Sequence, residues 1–281
     1  KLFDANILAR LIESEGITTF FAVPPMLVGL LEALDRERHD MSSMEVITTG
    51  GAPVPPELVR KIRDRLGCSL QSAFGQTEAS PMICLNHDDA TLDDICYSAG
   101  QPLPHTSVSI RHPETGGVLD VGEVGEICAK GYNVMIGYHN NPDATHAAID
   151  EDHWLHTGDL GKLDQRGFIQ VTGRVKDMII RGGENHFPAE IENTLIESPQ
   201  VAEVAVVGIP DEKWGEVIAA FIRTAEDMPW DADNLKSFCR SHLSPQKTPS
   251  IWRHVDAFPL TGSGKIQKFK IREKYLSGDY E

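Results

Sequence analysis

Helical stripes alternate with short β-rich runs through the first hundred residues, and Pro or Gly marks nearly every junction. Over 4–15, Ile7, Leu8, Leu11 and Ile12 recur at helical spacing. Residues 17–23 form a β-rich run stopped by Pro24-Pro25, and Met26, Leu27, Leu30, Leu31 and Leu34 make a second helical face. A short strand over 45–49 ends in Gly50-Gly51. Pro55-Pro56 then open a helix bearing Leu58, Val59, Ile62 and Leu66, with Gly67 as its stop. Helices between successive strands predict parallel pairing with helical crossovers.

The patterning changes near Gly100. Over 107–180 the runs are short and β-like, glycines are frequent, and Pro113 to Gly117 reads as a hairpin turn, so a small β-rich subdomain is expected. Beyond Asp177 the order is helix (188–197), strand (201–209), strand (216–224), helix (231–243) and strand (251–258), a compact α+β unit. No repeat or low-complexity segment interrupts it.

Composition narrows the function classes. With 41% hydrophobic and 24% charged residues the chain can bury a globular core. No run reaches the roughly 18 apolar residues of a membrane span, and no signal peptide opens the chain. A net charge of −16 repels nucleic acid and anionic lipid, so a polyanionic ligand would need local cations or a metal. Five dispersed cysteines without a C-x-x-C argue for a reducing, cytoplasmic setting. His153 and His156 form an H-x-x-H pair, but no acidic or cysteine partner stands at metal spacing, so no metal centre is expected there. The opening Lys1-Leu2-Phe3-Asp4 enters helical periodicity at once and reads as the downstream part of a longer polypeptide.

Near the C-terminus, Thr261-Gly262-Ser263-Gly264 precedes Lys265, with too much backbone freedom for a helix or strand interior. The segment is either a solvated basic loop or an arm that delivers a cation to an anion. It is not a Walker A loop, because Pro259 and Ile266 occupy the positions that motif reserves for Gly and Ser/Thr.

Six patches follow one another: TTGGAPVPPEL (48–58), FGQTE (74–78), GEICAKGYNVMIGYHNNPDAT (125–145), HTGDLG (156–161), GRVKDMIIRGGENHFPAEIE (173–192) and PLTGSGKIQK (259–268). Their order and spacing resemble the adenylate-forming superfamily, which includes acyl- and aryl-CoA synthetases, peptide-synthetase adenylation domains and beetle luciferase. The resemblance implies an α/β fold. Residues 1–176 would be the latter part of a large AMP-binding N-terminal domain, β-rich from about 101, and 177–281 a small mobile α+β C-terminal domain. It also implies an ATP-dependent acid–thiol ligase that makes an acyl-adenylate and passes the acyl group to CoA, with ATP, Mg²⁺ and a small carboxylic acid as its partners.

Activating a carboxylate with ATP brings two anions together, which calls for a cation at the forming bond and groups that hold the nucleotide. By resemblance, Lys265 is that cation, and Lys268 is a surface or phosphate-proximal charge. Glu78 resembles the Mg²⁺ ligand, a hard oxygen donor, and Thr77 offers a hydroxyl to the α-phosphate. Phe74 would lie against the adenine, or serve as a core aromatic. Gly50, Gly51 and Ala52 would let backbone approach the purine, or form an ordinary strand-to-helix turn. Asp159 would accept from the ribose hydroxyls, Arg174 would make a second ribose or phosphate contact, and Asn185 would approach the α-phosphate. Asp177 matches the hinge about which the C-terminal domain rotates, and Gly182 and Gly183 match the path of the CoA thiol.

Phe187 to Glu192 (FPAEIE) resembles the CoA-ligase branch, with a fatty or related acyl acid as the implied substrate and an aryl acid as the alternative. Two departures stand out. His186 replaces the family's apolar or aromatic residue. The Ser/Thr/Gly-rich loop that grips the outer phosphates (S-G-T-T-G-x-P-K-G) does not occur in the chain, which leaves open a catalytically silent AMP-binding module. The sequence carries no signal of oligomeric state.

Overall fold

Asp4 starts the first helix by accepting from the backbone N–H groups of Asn6 (2.9 Å) and Ile7 (3.2 Å), and Gly16, at φ 61°, ends it. A computed structural model describes residues 3–52, 54–261 and 265–280. Pro53 and the Gly262-Ser263-Gly264 stretch of the lysine arm lie outside the described residues. The chain divides into two compact units between Val171 and Thr172.

In the first unit, helices α1 (Ala5–Glu15), α2 (Pro24–Arg36) and α3 (Pro56–Leu66) accompany strands β1 (Thr19–Ala22), β2 (Val46–Gly50) and β3 (Ser69–Phe74). β1, β2 and β3 pair in parallel, as the alternation predicts. The sheet as a whole is mixed, however. After a 3₁₀ turn at Thr77–Ala79, β4 (Cys84–Leu85) and β5 (Gln101–Pro102) add antiparallel, with α4 (Leu92–Tyr97) between them. Antiparallel neighbours need no crossover helix, so these two-residue strands escape a pattern built on helical connections. The α1 stripe is also half realised: Ile12 is fully buried while Ile7 and Leu11 are exposed.

A second sheet, in the order β6-β7-β8-β9, is formed by β6 (Thr106–Arg111), β7 (Gly125–Gly131), β8 (Leu155–Leu163) and β9 (Ile169–Arg174), with α5 (Pro142–Ala148) between β7 and β8. Ile110, Ile127, Leu155 and Ile169 bury one face of it against Phe74 and Ile83. The expected turn at 113–117 is present, with His112 N–H bonded to Gly117 O at 2.8 Å.

The second unit carries a sheet of β10 (Ile179–Arg181), β11 (Glu184–His186), β12 (Val201–Asp211), β13 (Gly215–Thr224) and β14 (Ile251–His254). Alternation along β12 and β13 feeds two cores. Val204, Val206, Ile218 and Ala220 face α6 (Pro188–Ile196) and α7 (Ala232–His242). Ala205, Val207, Ala219 and Phe221 face α8 (Lys268–Leu276), a helix the sequence reading did not anticipate. Burying Phe221 completely contributes roughly 1.5–3 kcal/mol. The predicted strand at 251–258 stops at His254.

Candidate active site

At the carboxyl ends of β1, β2 and β3 lies a cleft of about 290 Å³ lined by Phe21, Thr49, Gly50, Gly51, Phe74 and Met82 among others. Carboxyl ends of parallel strands are where open α/β sheets bind ligands. Phe74 is buried in the core, as its core-aromatic alternative expects, and also lines the cleft. The hydroxyl of Thr49, in the cleft wall, is buried without a hydrogen-bond partner. Gly50 is small for an internal reason, since a Cβ there would stand 2.7 Å from Ala73 O on the neighbouring strand. Gly51 turns the chain out of β2 at φ 79°. Ala52 is exposed and is not among the residues lining the cleft.

Thr77 and Glu78 occupy the 3₁₀ turn that follows β3. Gly75 before them has no room for a side chain, because its Cβ would meet Pro81 O at 2.0 Å. Glu78 is tied to the 125–145 patch twice. Its carbonyl accepts from Met135 N–H at 2.8 Å, and its Oε1 accepts from the Tyr138 hydroxyl at 2.8 Å. That hydrogen bond to the carboxylate raises the Tyr138 phenol above its ordinary pKa. Tyr138 lay within a quoted motif, yet nothing in the sequence paired it with Glu78.

Asp159 sits on β8, 8% exposed, at a bulge. Between Glu126 and Cys128 β7 advances from 126 to 128, while the facing stretch of β8 runs from 160 back to 156. The extra residues are accommodated by Gly158 at φ 70°, and bulges of this kind re-aim a side chain next to functional sites. Glu126 braces the bulge: Oε1 accepts from Gly158 N–H at 3.0 Å, and Oε2 lies 2.8 Å from His156 Nδ1. Thr157 Oγ donates to Ile127 O at 2.7 Å and accepts from Asp159 N–H at 3.1 Å.

The expectation that His156 has no metal-type partner is overturned. Cys128 Sγ lies 3.6 Å from its Nδ1, beside Glu126. Cross-strand pairing assembles these residues, which linear spacing cannot display.

The remaining candidates belong to the second unit. Arg174 is exposed, and Asp177 ends a 3₁₀ turn, Val175–Asp177. Gly182 (φ 61°) and Gly183 (φ 84°) form the two-residue turn joining β10 to β11. Two positive φ values in a hairpin turn already require glycine-like residues. Around this turn lies a recess of about 470 Å³ lined by Arg181, Gly182, Glu184, His186 and Trp214 among others. Asn185, on β11, is half-buried. A Cβ on Gly182 would approach the Trp214 ring to 3.0 Å, whereas Gly183 faces open space.

His186 is 3% exposed with neither ring nitrogen hydrogen-bonded, and burial holds its imidazole below the usual histidine range. Trp214 was missed, although the Asp211-Glu-Lys-Trp-Gly215 run that presents it is a turn signal, with Asp211 accepting from Trp214 N–H at 2.9 Å. Lys265 is exposed, and its N–H donates to Thr261 Oγ at 3.0 Å. Lys268 is not a free surface charge, because it pairs with Glu192 at 2.7 Å.

Residues 1–139 match the AMP-binding enzyme family, and 190–265 match the AMP-binding enzyme C-terminal domain. The chain is 40% identical over 275 residues to the putative acyl-CoA synthetase YngI of Bacillus subtilis, covering 98% of this chain and 50% of that protein. It is 41% identical over 274 residues to the mitochondrial medium-chain acyl-CoA ligase ACSF2 of Bos taurus, covering 97% and 45%. The chain thus spans about half the length of these relatives.

Among solved structures, ATP-bound MatB from Rhodopseudomonas palustris superposes with a TM-score of 0.85 at 31% identity, covering 97% of this chain and 53% of that one. The o-succinylbenzoate CoA synthetase MenE of Bacillus subtilis, in complex with ATP and magnesium, gives 0.80 at 34%, covering 95% and 54%. With both family regions matched in order, and the cleft and its flanking turn in place, the chain belongs to the AMP-binding, adenylate-forming enzyme family, among acyl-CoA synthetase relatives.

Proposed function

We propose that this chain carries the nucleotide- and thiol-handling part of an ATP-dependent ligase, which activates a fatty or related acyl acid as its adenylate and transfers it to CoA. The observation that carries the reading is the cleft at the ends of β1 to β3, bordered on the chain by the Thr77–Ala79 turn.

In this reading Phe74, Gly50 and Gly51 flank the adenine, and Asp159, aimed by its bulge, accepts from the ribose hydroxyls. Arg174 and Asn185 assist at the ribose and α-phosphate, and Thr77 donates to the α-phosphate. Glu78 suits Mg²⁺: it is a half-buried carboxylate oriented by one phenol, offering the hard oxygen that ion prefers. Bound there, the ion would neutralise phosphate charge. Lys265 supplies the ammonium that draws the substrate carboxylate to the α-phosphate. Asp177 is the pivot between adenylation and thioester formation, with 177–281 as the moving part, and the Gly182-Gly183 turn beside its recess receives the thiol.

The outer-phosphate loop is not in these 281 residues. Thioester formation from supplied acyl-adenylate therefore depends less on missing contacts than adenylation does. The acyl assignment draws on the medium-chain ligase relative.

The test is ATP–pyrophosphate exchange with the full-length polypeptide across acids of graded chain length, aryl acids included. Exchange peaking with aliphatic acids supports the proposal. A peak with aryl acids moves the substrate class. Silence across the panel leaves a nucleotide-binding module without ligase chemistry.

A further inference from the structure

We propose that Glu126, Cys128 and His156 form a binding site for a thiophilic divalent cation such as Zn²⁺, with Asp150 as the carboxylate behind the histidine. Among the described residues, this is the group of three His, Cys or acidic side chains whose donor atoms converge, all within 4.8 Å of one another. The donors are nitrogen, oxygen and sulfur, a set that favours zinc-like ions over magnesium.

The spacing fits. Tetrahedral zinc, with bonds of about 2.3 Å to sulfur and 2.0–2.1 Å to nitrogen, sets those two ligands about 3.5 Å apart. Cys128 Sγ and His156 Nδ1 are 3.6 Å apart. The corresponding nitrogen–oxygen separation is about 3.3 Å, against 2.8 Å between His156 Nδ1 and Glu126 Oε2. Glu126 thus withdraws by about half an ångström when the metal replaces the shared proton.

The surroundings are also those of a metal site. With Nδ1 as ligand, the ring's remaining proton sits on Nε2, which faces Asp150 Oδ2 at 3.7 Å. A carboxylate behind a ligating histidine fixes its tautomer and raises its basicity. Asp150 is itself held by Arg111 at 2.9 Å and by Trp154 N–H at 2.8 Å. One thiolate and one carboxylate neutralise the ion's two charges, so the filled site is uncharged overall. The half-exposed His156 ring leaves an approach from solvent. Without metal, burial pushes the Cys128 thiol up to about 12, so binding must expel the thiol proton to solvent and strengthens as pH rises. Three protein ligands leave a fourth position for water. The site lies within the first unit and uses neither Glu78 nor Lys265. Glu126 also braces the turn before Asp159, but the test reads metal binding rather than ligase activity, so its failure is distinguishable from that of the ligase reading.

The test uses the protein stripped by chelator and titrated with Co²⁺ and then Zn²⁺, beside C128S and C128A, each with folding checked by circular dichroism. The expected result is one equivalent of Co²⁺ bound with a thiolate charge-transfer band that Zn²⁺ abolishes and excess Mg²⁺ does not. Both variants lose the band and bind Zn²⁺ at least about 10-fold more weakly. Zn²⁺ also raises the urea midpoint of the parent but not of the variants. No band in the parent, a band that survives in either variant, or equal Zn²⁺ affinity in parent and variants would overturn the assignment.

Discussion

The Tyr138 hydroxyl donates a 2.8 Å hydrogen bond to Glu78 Oε1, joining residues sixty positions apart and orienting the carboxylate assigned to Mg²⁺. Groups that orient a metal ligand typically govern about 10–100-fold in metal affinity. Tyr138→Phe should therefore raise the Mg²⁺ concentration for half-maximal pyrophosphate exchange by about 10-fold with the fold unchanged. A Mg²⁺ titration of the variant checks this, and an unmoved midpoint would refute the role.

Glu126 should act on the nucleotide without touching it, because it braces the Gly158 turn that presents Asp159. Glu126→Ala is expected to raise the KM for ATP by about 10-fold, the value of one charged hydrogen bond, with a smaller change in kcat. Glu126→Gln keeps an acceptor for Gly158 N–H and should recover most of the loss. The decisive measurement is the KM ratio between ATP and its 3′-deoxy analogue, which should fall towards one in Glu126→Ala. An unchanged ratio would make Glu126 merely structural.

Lys265→Ala should lower adenylation by about 10²–10³, the usual effect of deleting a group that stabilises transition-state charge. Thioester formation from supplied acyl-adenylate should be largely spared. Comparable losses in both half-reactions would remove the lysine from its assigned step.

Asp177 closes the short turn Val175–Asp177, where Met178 N–H bonds Val175 O at 3.2 Å. Asp177→Pro would hold φ near −65° and should damage the two half-reactions unequally. Single-turnover assays of each half-reaction would show it, and equal damage would place the pivot elsewhere.

Asp94 tests stability away from the chemistry. It closes the capping box of α4 with Thr91 and pairs with Arg166 at 2.8 Å. The Thr91 hydrogen bond, then that from Arg166, holds its carboxyl below the usual range. A depressed folded-state pKa stabilises above the unfolded value and loses that stabilisation as pH falls through the folded one. Asp94→Ala should cost about 0.5–2 kcal/mol at neutral pH, and the gap to the parent should narrow below roughly pH 4. Urea melts across pH would reveal a gap independent of pH if the ionised carboxylate is not responsible.

Helices and strands with strong local signals were legible in advance. A helical stripe marks α1, Pro56 and Gly67 bracket α3, and near-continuous apolar runs rich in β-branched residues mark β12 and β13, because caps, turns and side-chain patterning act over a few residues. The motifs likewise placed Gly50, Gly51 and Phe74, which the fold then joined in one cleft. Tertiary structure alone decided the antiparallel addition of β4 and β5, the bonding of Tyr138 to Glu78, and the meeting of His156 with Glu126 and Cys128 across a bulge. Each depends on strand register and on which distant backbone lies alongside. A one-residue slip would turn those side chains to the opposite face, and no local pattern records that choice.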